Sequence, residues 1–171
     1  MSLRDRLPRH ETIAEFEAAR FDRFHDALTL GAEGRRLGAM YLLGYFVEMT
    51  LKSAFFRLLG FRADEPIAAK DLKTAAVLAR HDLQVDVDPE QYHGLVFWVQ
   101  AIIALRDHFG DPVPYDVLRE LAWRSQRMSA HWRPSMRYSR DVTVPNDWRG
   151  LLADAHWLRE NCDKLAVATS N

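Results

Sequence analysis

Gly38-Ala39-Met40-Tyr41-Leu42-Leu43-Gly44-Tyr45-Phe46-Val47-Glu48-Met49-Thr50-Leu51-Lys52 is apolar on nearly every side of a helix, yet it carries one polar seam. Tyr41, Tyr45, Glu48 and Lys52 follow at steps of four, three and four residues, which places them on one helical face. A helix this apolar elsewhere has to be covered on several sides, so it predicts the centre of a bundle. A membrane span would need roughly 20 uninterrupted apolar residues; here the run from Leu37 to Val47 is cut by Glu48. Inside a bundle neither Glu48 nor Lys52 can stay unpaired, because stranding one buried charge costs several kcal/mol. The two stand in the favourable order for an i,i+4 pair, and a structural buried pair with Tyr45 beside it is expected, able to form the polar floor of a cleft.

Outward from this stretch the pattern stays helical. Thr12-Ile13-Ala14-Glu15 fits a capping box, and Ile13, Phe16, Phe21, Phe24 and Leu28 continue at helical spacing to about Leu30, before Gly31 and Gly34. The central helix is expected over 35–59, stopped by Gly60. A shorter helix is expected over 70–80. Asp88-Pro89-Glu90-Gln91 has the cap, the first-turn proline and the acidic charge of a helix start, predicting a second central helix from there to Phe109, apolar nearly all round between Leu95 and Leu105. Further helices are expected over 115–131 and 148–165, with Trp132 to Val144 the least regular segment. Asp82, Asp86 and Asp88 lack the glycine and distal glutamate of a calcium loop and read as a solvated turn.

The length of 171 residues suits one domain. The expected organisation is a lead-in arm over 1–11, without the apolar run of a secretory signal, and one all-α bundle of five to six helices over 12–171. With 23 basic and 24 acidic residues the formal net charge is -1, so no global field advertises nucleic acid or membrane. Cys162 is the only cysteine, which excludes an internal disulfide framework and any multi-thiolate zinc site. A cytoplasmic location fits, and no membrane contact or cofactor is expected. There is no P-loop, Rossmann fingerprint, His-Glu-x-x-His or Gly-x-Ser-x-Gly.

Local charge is another matter. Between Arg119 and Arg140 lie six arginines (Arg119, Arg124, Arg127, Arg133, Arg137 and Arg140) against Glu120 alone, interleaved with Trp123, His131, Trp132 and Tyr138. Guanidinium groups and aromatic planes together suit phosphates and unstacked bases. The bland alternative is a solvated rim with the tryptophans packed into the core.

Tyr41 to Lys52, then His81-Asp82-Leu83, then Trp132 and Arg137-Tyr138 resemble the landmarks of HEPN-domain proteins across most of the chain. The resemblance implies an α-helical bundle, usually homodimeric. Many such proteins are metal-independent endoribonucleases or components of toxin–antitoxin and defence systems, and others bind RNA, nucleotides or partner proteins without catalysis. Active members use an arginine followed by four to six residues and a histidine. Arg124 and His131 meet that spacing, with Ser125 after the arginine, and on a continuous helix they share one face. Arg4 with His10, Arg20 with His25 and Arg149 with His156 also meet it, and chance alone supplies about two such spacings.

Three functions therefore stand open. One is a homodimeric RNA- or nucleotide-binding module in which Arg127, Arg133, Arg137 and Arg140 hold the backbone and Trp132 or Tyr138 meets a base. Another is an endoribonuclease with His131 as general acid or base on the ribose 2′-hydroxyl and Arg124 stabilising the phosphorane. The third is a bundle that only docks a partner protein, such as an antitoxin.

Overall fold

The computed structural model describes residues 11–89 and 92–166. Among these it contains seven α-helices and no strand: α1 (Ile13–Ala32), α2 (Arg36–Leu58), α3 (Ala69–Val77), α4 (Leu95–His108), α5 (Tyr115–His131), α6 (Pro145–Asn161) and the single turn α7 (Asp163–Ala166). None of the described helices is long and apolar enough to cross a membrane.

The local chemistry explains most boundaries. Thr12 Oγ1 accepts a hydrogen bond from Glu15 N–H at 3.0 Å, capping α1. Gly60 and Gly110 stand at φ +86° and +73° just beyond α2 and α4, a left-handed conformation that favours glycine. After α3 the chain widens into a π turn, Leu78–Asp82, and a 3₁₀ turn, Pro134–Tyr138, follows α5. Of the expected arm only Glu11 lies among the described residues. It forms an isolated bridge with Ile67, whose N–H donates to its carbonyl at 2.7 Å.

α2 is the central rod. α1, α4, α6, α7 and the 3₁₀ turn all pack on it, while α5 lies against α4 and α6. The expected nesting of the two apolar helices is present: Phe55 of α2 meets Trp98 of α4 edge-on at 5.3 Å between ring centroids, with Phe56 and Phe97 beside them. Such rings supply the largest share of apolar burial.

Two boundaries differ from expectation. The second rod begins at Leu95, not in the Asp88-Pro89 turn, with Gly94 as its N-cap. Tyr92 is left-handed at φ +71°, and its carbonyl accepts from Trp98 Nε1 at 3.0 Å, so that oxygen is taken by an indole and not by a helical amide. Residues 90 and 91 of the expected cap lie outside the described set. The last helix breaks at Cys162 and resumes as α7, where Arg106, 4 % exposed inside α4, reaches across to the Lys164 carbonyl while also holding the Asp111 carbonyl at 2.8 Å and its carboxylate at 2.7 Å.

Candidate functional site

The polar seam of α2 is assembled as a buried cluster. Lys52 Nζ lies 2.6 Å from Glu48 Oε1, and both side chains are almost wholly covered. His93, in the turn before α4, places Nδ1 at 3.0 Å from both carboxylate oxygens. Burial is the largest influence on Glu48 and opposes its charge, yet the hydrogen bond from His93 and the attraction of Lys52 together hold its carboxyl below the ordinary value. The carboxylate is thus ionised, matched by one buried ammonium and orienting one imidazole. The ring is about a third exposed, and Nε2 bonds no group among the described residues. Sequence reasoning did not find His93: it is 45 residues from Glu48, and no spacing rule links a turn residue to a helix face that far away.

Further up the seam, the Tyr41 hydroxyl donates to the Tyr45 hydroxyl at 3.4 Å. Burial first, and then Tyr41, pushes the Tyr45 phenol well above its ordinary value. A hydrogen bond to Tyr41 and the nearby Tyr138 raise Arg137. The seam therefore runs from His93 through Glu48 and the two tyrosines to the 3₁₀ turn.

The basic window divides into two parts. Arg124 and Arg127 point at α6, where Asp154 is fully buried. Arg124 Nη1 lies 2.8 Å from Asp154 Oδ1 and its Nη2 3.0 Å from Glu120. Arg127 grips both Asp154 oxygens, with Nε at 2.6 Å from Oδ2. That hydrogen bond, ahead of opposing desolvation, raises Arg127. Its guanidinium also covers the half-exposed Trp123 at 4.1 Å. Arg127 thereby ties α5 to α6, with its side chain still a third exposed. Asp154 was missed by sequence reasoning, although Leu151, Asp154, Ala155 and Leu158 share one inward face and an acid there requires a cation.

Trp132, expected as a candidate partner for a base, lies in the core instead. It is 4 % exposed, donates Nε1–H to the Tyr41 carbonyl at 3.0 Å and meets Tyr45 edge-on at 5.4 Å. Its ring lies so close to Gly44 that a Cβ there would come within 1.9 Å of Nε1. No face is left for a base. Tyr138 is the opposite case: 79 % exposed, with the Arg137 guanidinium 4.7 Å from its ring centroid.

The remaining residues surround an open cleft of about 460 Å³, lined by His131, Trp132, Arg133, Met136, Arg140 and Asp147 among others. His131, Arg133 and Arg140 are exposed. Arg124 does not line this cleft and is engaged by Asp154 and Glu120, whereas His131 is on its wall.

No family model, curated protein or solved structure matches the chain.

Proposed function

We propose that the protein is a HEPN-like, homodimeric module that binds single-stranded RNA or a nucleotide through the surface formed by His131, Arg133, Arg137, Tyr138 and Arg140. The observation that carries this reading is the Arg137–Tyr138 pair: an aromatic plane 79 % exposed, backed by a guanidinium and set beside a cleft edged with further arginines. A paired base keeps its faces in its own stack, whereas an unstacked base has one to offer, so single strands fit this surface best. The reading is tested by fluorescence anisotropy with a labelled single-stranded RNA and with ATP. Stacking is worth about 1–3 kcal/mol per base, so Tyr138→Ala should weaken binding by about fivefold or more, and Arg133→Ala and Arg140→Ala should lower the salt dependence. Binding by Tyr138→Ala equal to that of wild type, or a monomeric mass in light scattering, refutes the proposal.

Cleavage is a second reading, and one observation favours it. An imidazole held at Nδ1 by a buried carboxylate keeps a defined tautomer with Nε2 outward, the arrangement a general base needs. That description fits His93 better than His131, and Arg124 would have to leave Asp154 and Glu120 to reach a phosphate. RNA incubated in EDTA with wild type, Arg124→Ala, His131→Ala and His93→Ala decides: unchanged cleavage by all three variants removes these residues from catalysis.

A further inference from the structure

A second cleft, about 280 Å³, opens between α1, the later half of α2 and the α6–α7 junction, away from the arginine-rich surface. Most of its polar side chains are already engaged. Arg57 places Nε at 3.0 Å and Nη2 at 2.7 Å from Glu17 Oε1, and Thr50 Oγ1 donates back to the Phe46 carbonyl at 2.8 Å. Two are not. Arg20 Nε and Ser53 Oγ are buried and find no hydrogen-bond partner among the described residues.

Ser53 is 1 % exposed and sits mid-helix, where a hydroxyl ordinarily donates to a carbonyl one turn back, as Thr50 does. Arg20 forms no ion pair among the described residues; its guanidinium only covers the Phe21 ring at 5.0 Å. Buried polar groups are normally satisfied, and leaving one unanswered is costly. Two such groups on the wall of one cleft are complementary to an acceptor with more than one oxygen. The surrounding charge narrows the choice. Glu17 is neutralised by Arg57, and the exposed Asp163 offsets Arg20, which has no ion pair among the described residues, so the lining as a whole carries no net charge. With no excess positive charge, an anion here has to be held by directed hydrogen bonds from Arg20 and Ser53, which disfavours a dianion more than a monoanion.

We propose that Arg20 and Ser53 form a binding site for the carboxylate of a small organic acid in the cleft between α1, α2 and α7. This goes beyond the RNA reading and does not depend on it. The guanidinium fork takes one or both carboxylate oxygens, and the Ser53 hydroxyl donates to the same group. The rest of the acid lies along Ala54 and Ala166 toward the mouth.

Cys162 lines the same cleft and is the sole thiol of the chain, which makes it a built-in reporter. Burial pushes this thiol up, and Arg20 on the wall of the same cleft pulls the other way. Iodoacetate and iodoacetamide alkylate a thiolate in the same way, sulfur displacing iodide from the methylene carbon, but only iodoacetate brings a carboxylate. The ratio of their rates on the intact protein, divided by the ratio on glutathione, therefore measures carboxylate recognition next to Sγ. Recognition by a charge-assisted hydrogen bond predicts a normalised ratio of about ten. Sodium acetate should protect Cys162 where sodium chloride at equal ionic strength does not, and Arg20→Gln and Ser53→Ala, checked by circular dichroism and thermal melts, should bring the ratio down toward one. A wild-type ratio near one, without protection by acetate, means a cleft filled by solvent only and overturns the proposal. Stronger protection by inorganic phosphate than by acetate overturns the carboxylate assignment. If the variants fail to fold, the wild-type ratio and the acetate protection still decide.

Discussion

Replacing Glu48 by glutamine removes the charge that holds two other groups in place. Lys52, 5 % exposed, would keep its ammonium inside the bundle with nothing of opposite sign beside it, and His93 would exchange a carboxylate partner for an amide. Breaking a buried pair from one side typically costs about 3–5 kcal/mol. For a domain of this size each kcal/mol moves Tm by about 2–4 °C, so Glu48→Gln should melt roughly 6–20 °C below wild type. Glu48→Leu combined with Lys52→Met, which removes both charges, should recover most of that loss. The pH dependence has a definite sign. Glu48 ionises more readily folded than unfolded, so its contribution is fully present above the unfolded carboxyl value and is lost as pH falls through the lower folded one. Urea denaturation at pH 7 and again on acidification below about pH 4 should therefore show the gap between wild type and Glu48→Gln closing. A variant within about 1 kcal/mol of wild type at neutral pH, or a gap that widens in acid, would refute the reasoning.

Two further outcomes follow from the packing. Gly44→Ala puts a methyl group within 1.9 Å of the Trp132 indole; it should cost about 1–3 kcal/mol or displace the ring, read as a lower Tm with altered tryptophan fluorescence. Asp154→Asn deprives Arg124 and Arg127 of their shared counter-charge on the α5–α6 contact. It should destabilise the fold by several kcal/mol in a denaturant titration while leaving the Arg137–Tyr138 surface unchanged.

The helices were legible in the sequence wherever a local signal was complete. Thr12 caps α1 through contacts three residues away, Gly60 and Gly110 stop the two rods, and the apolar surround of Leu43, Val47 and Leu51 requires covering on all sides. Even the Glu48–Lys52 pair could be read, since both members lie one turn apart on one helix. What could not be read are partners supplied from elsewhere in the chain. His93 reaches Glu48 from a turn that follows the left-handed Tyr92, where a helix-start signal at Asp88-Pro89 pointed to continuous helix. Trp132 fits a surface ring among arginines and a core ring equally well in the sequence, because the notch that receives it is Gly44, far back in the chain. Arg124 and Arg127 fit a phosphate-binding pattern equally well until Asp154 is placed opposite them. An arginine's role depends on which anion reaches it first, and that is a property of the assembled bundle.

The reach of Arg106 to the Lys164 carbonyl bears on how the molecule is made. A guanidinium in the middle of the chain must wait, during synthesis, for a backbone oxygen nearly sixty residues downstream before this third hydrogen bond can form. Until α7 docks, Arg106 keeps its charge matched by Asp111 but leaves one N–H without its acceptor inside the bundle, so the seating of α7 should be cooperative with the packing of α4.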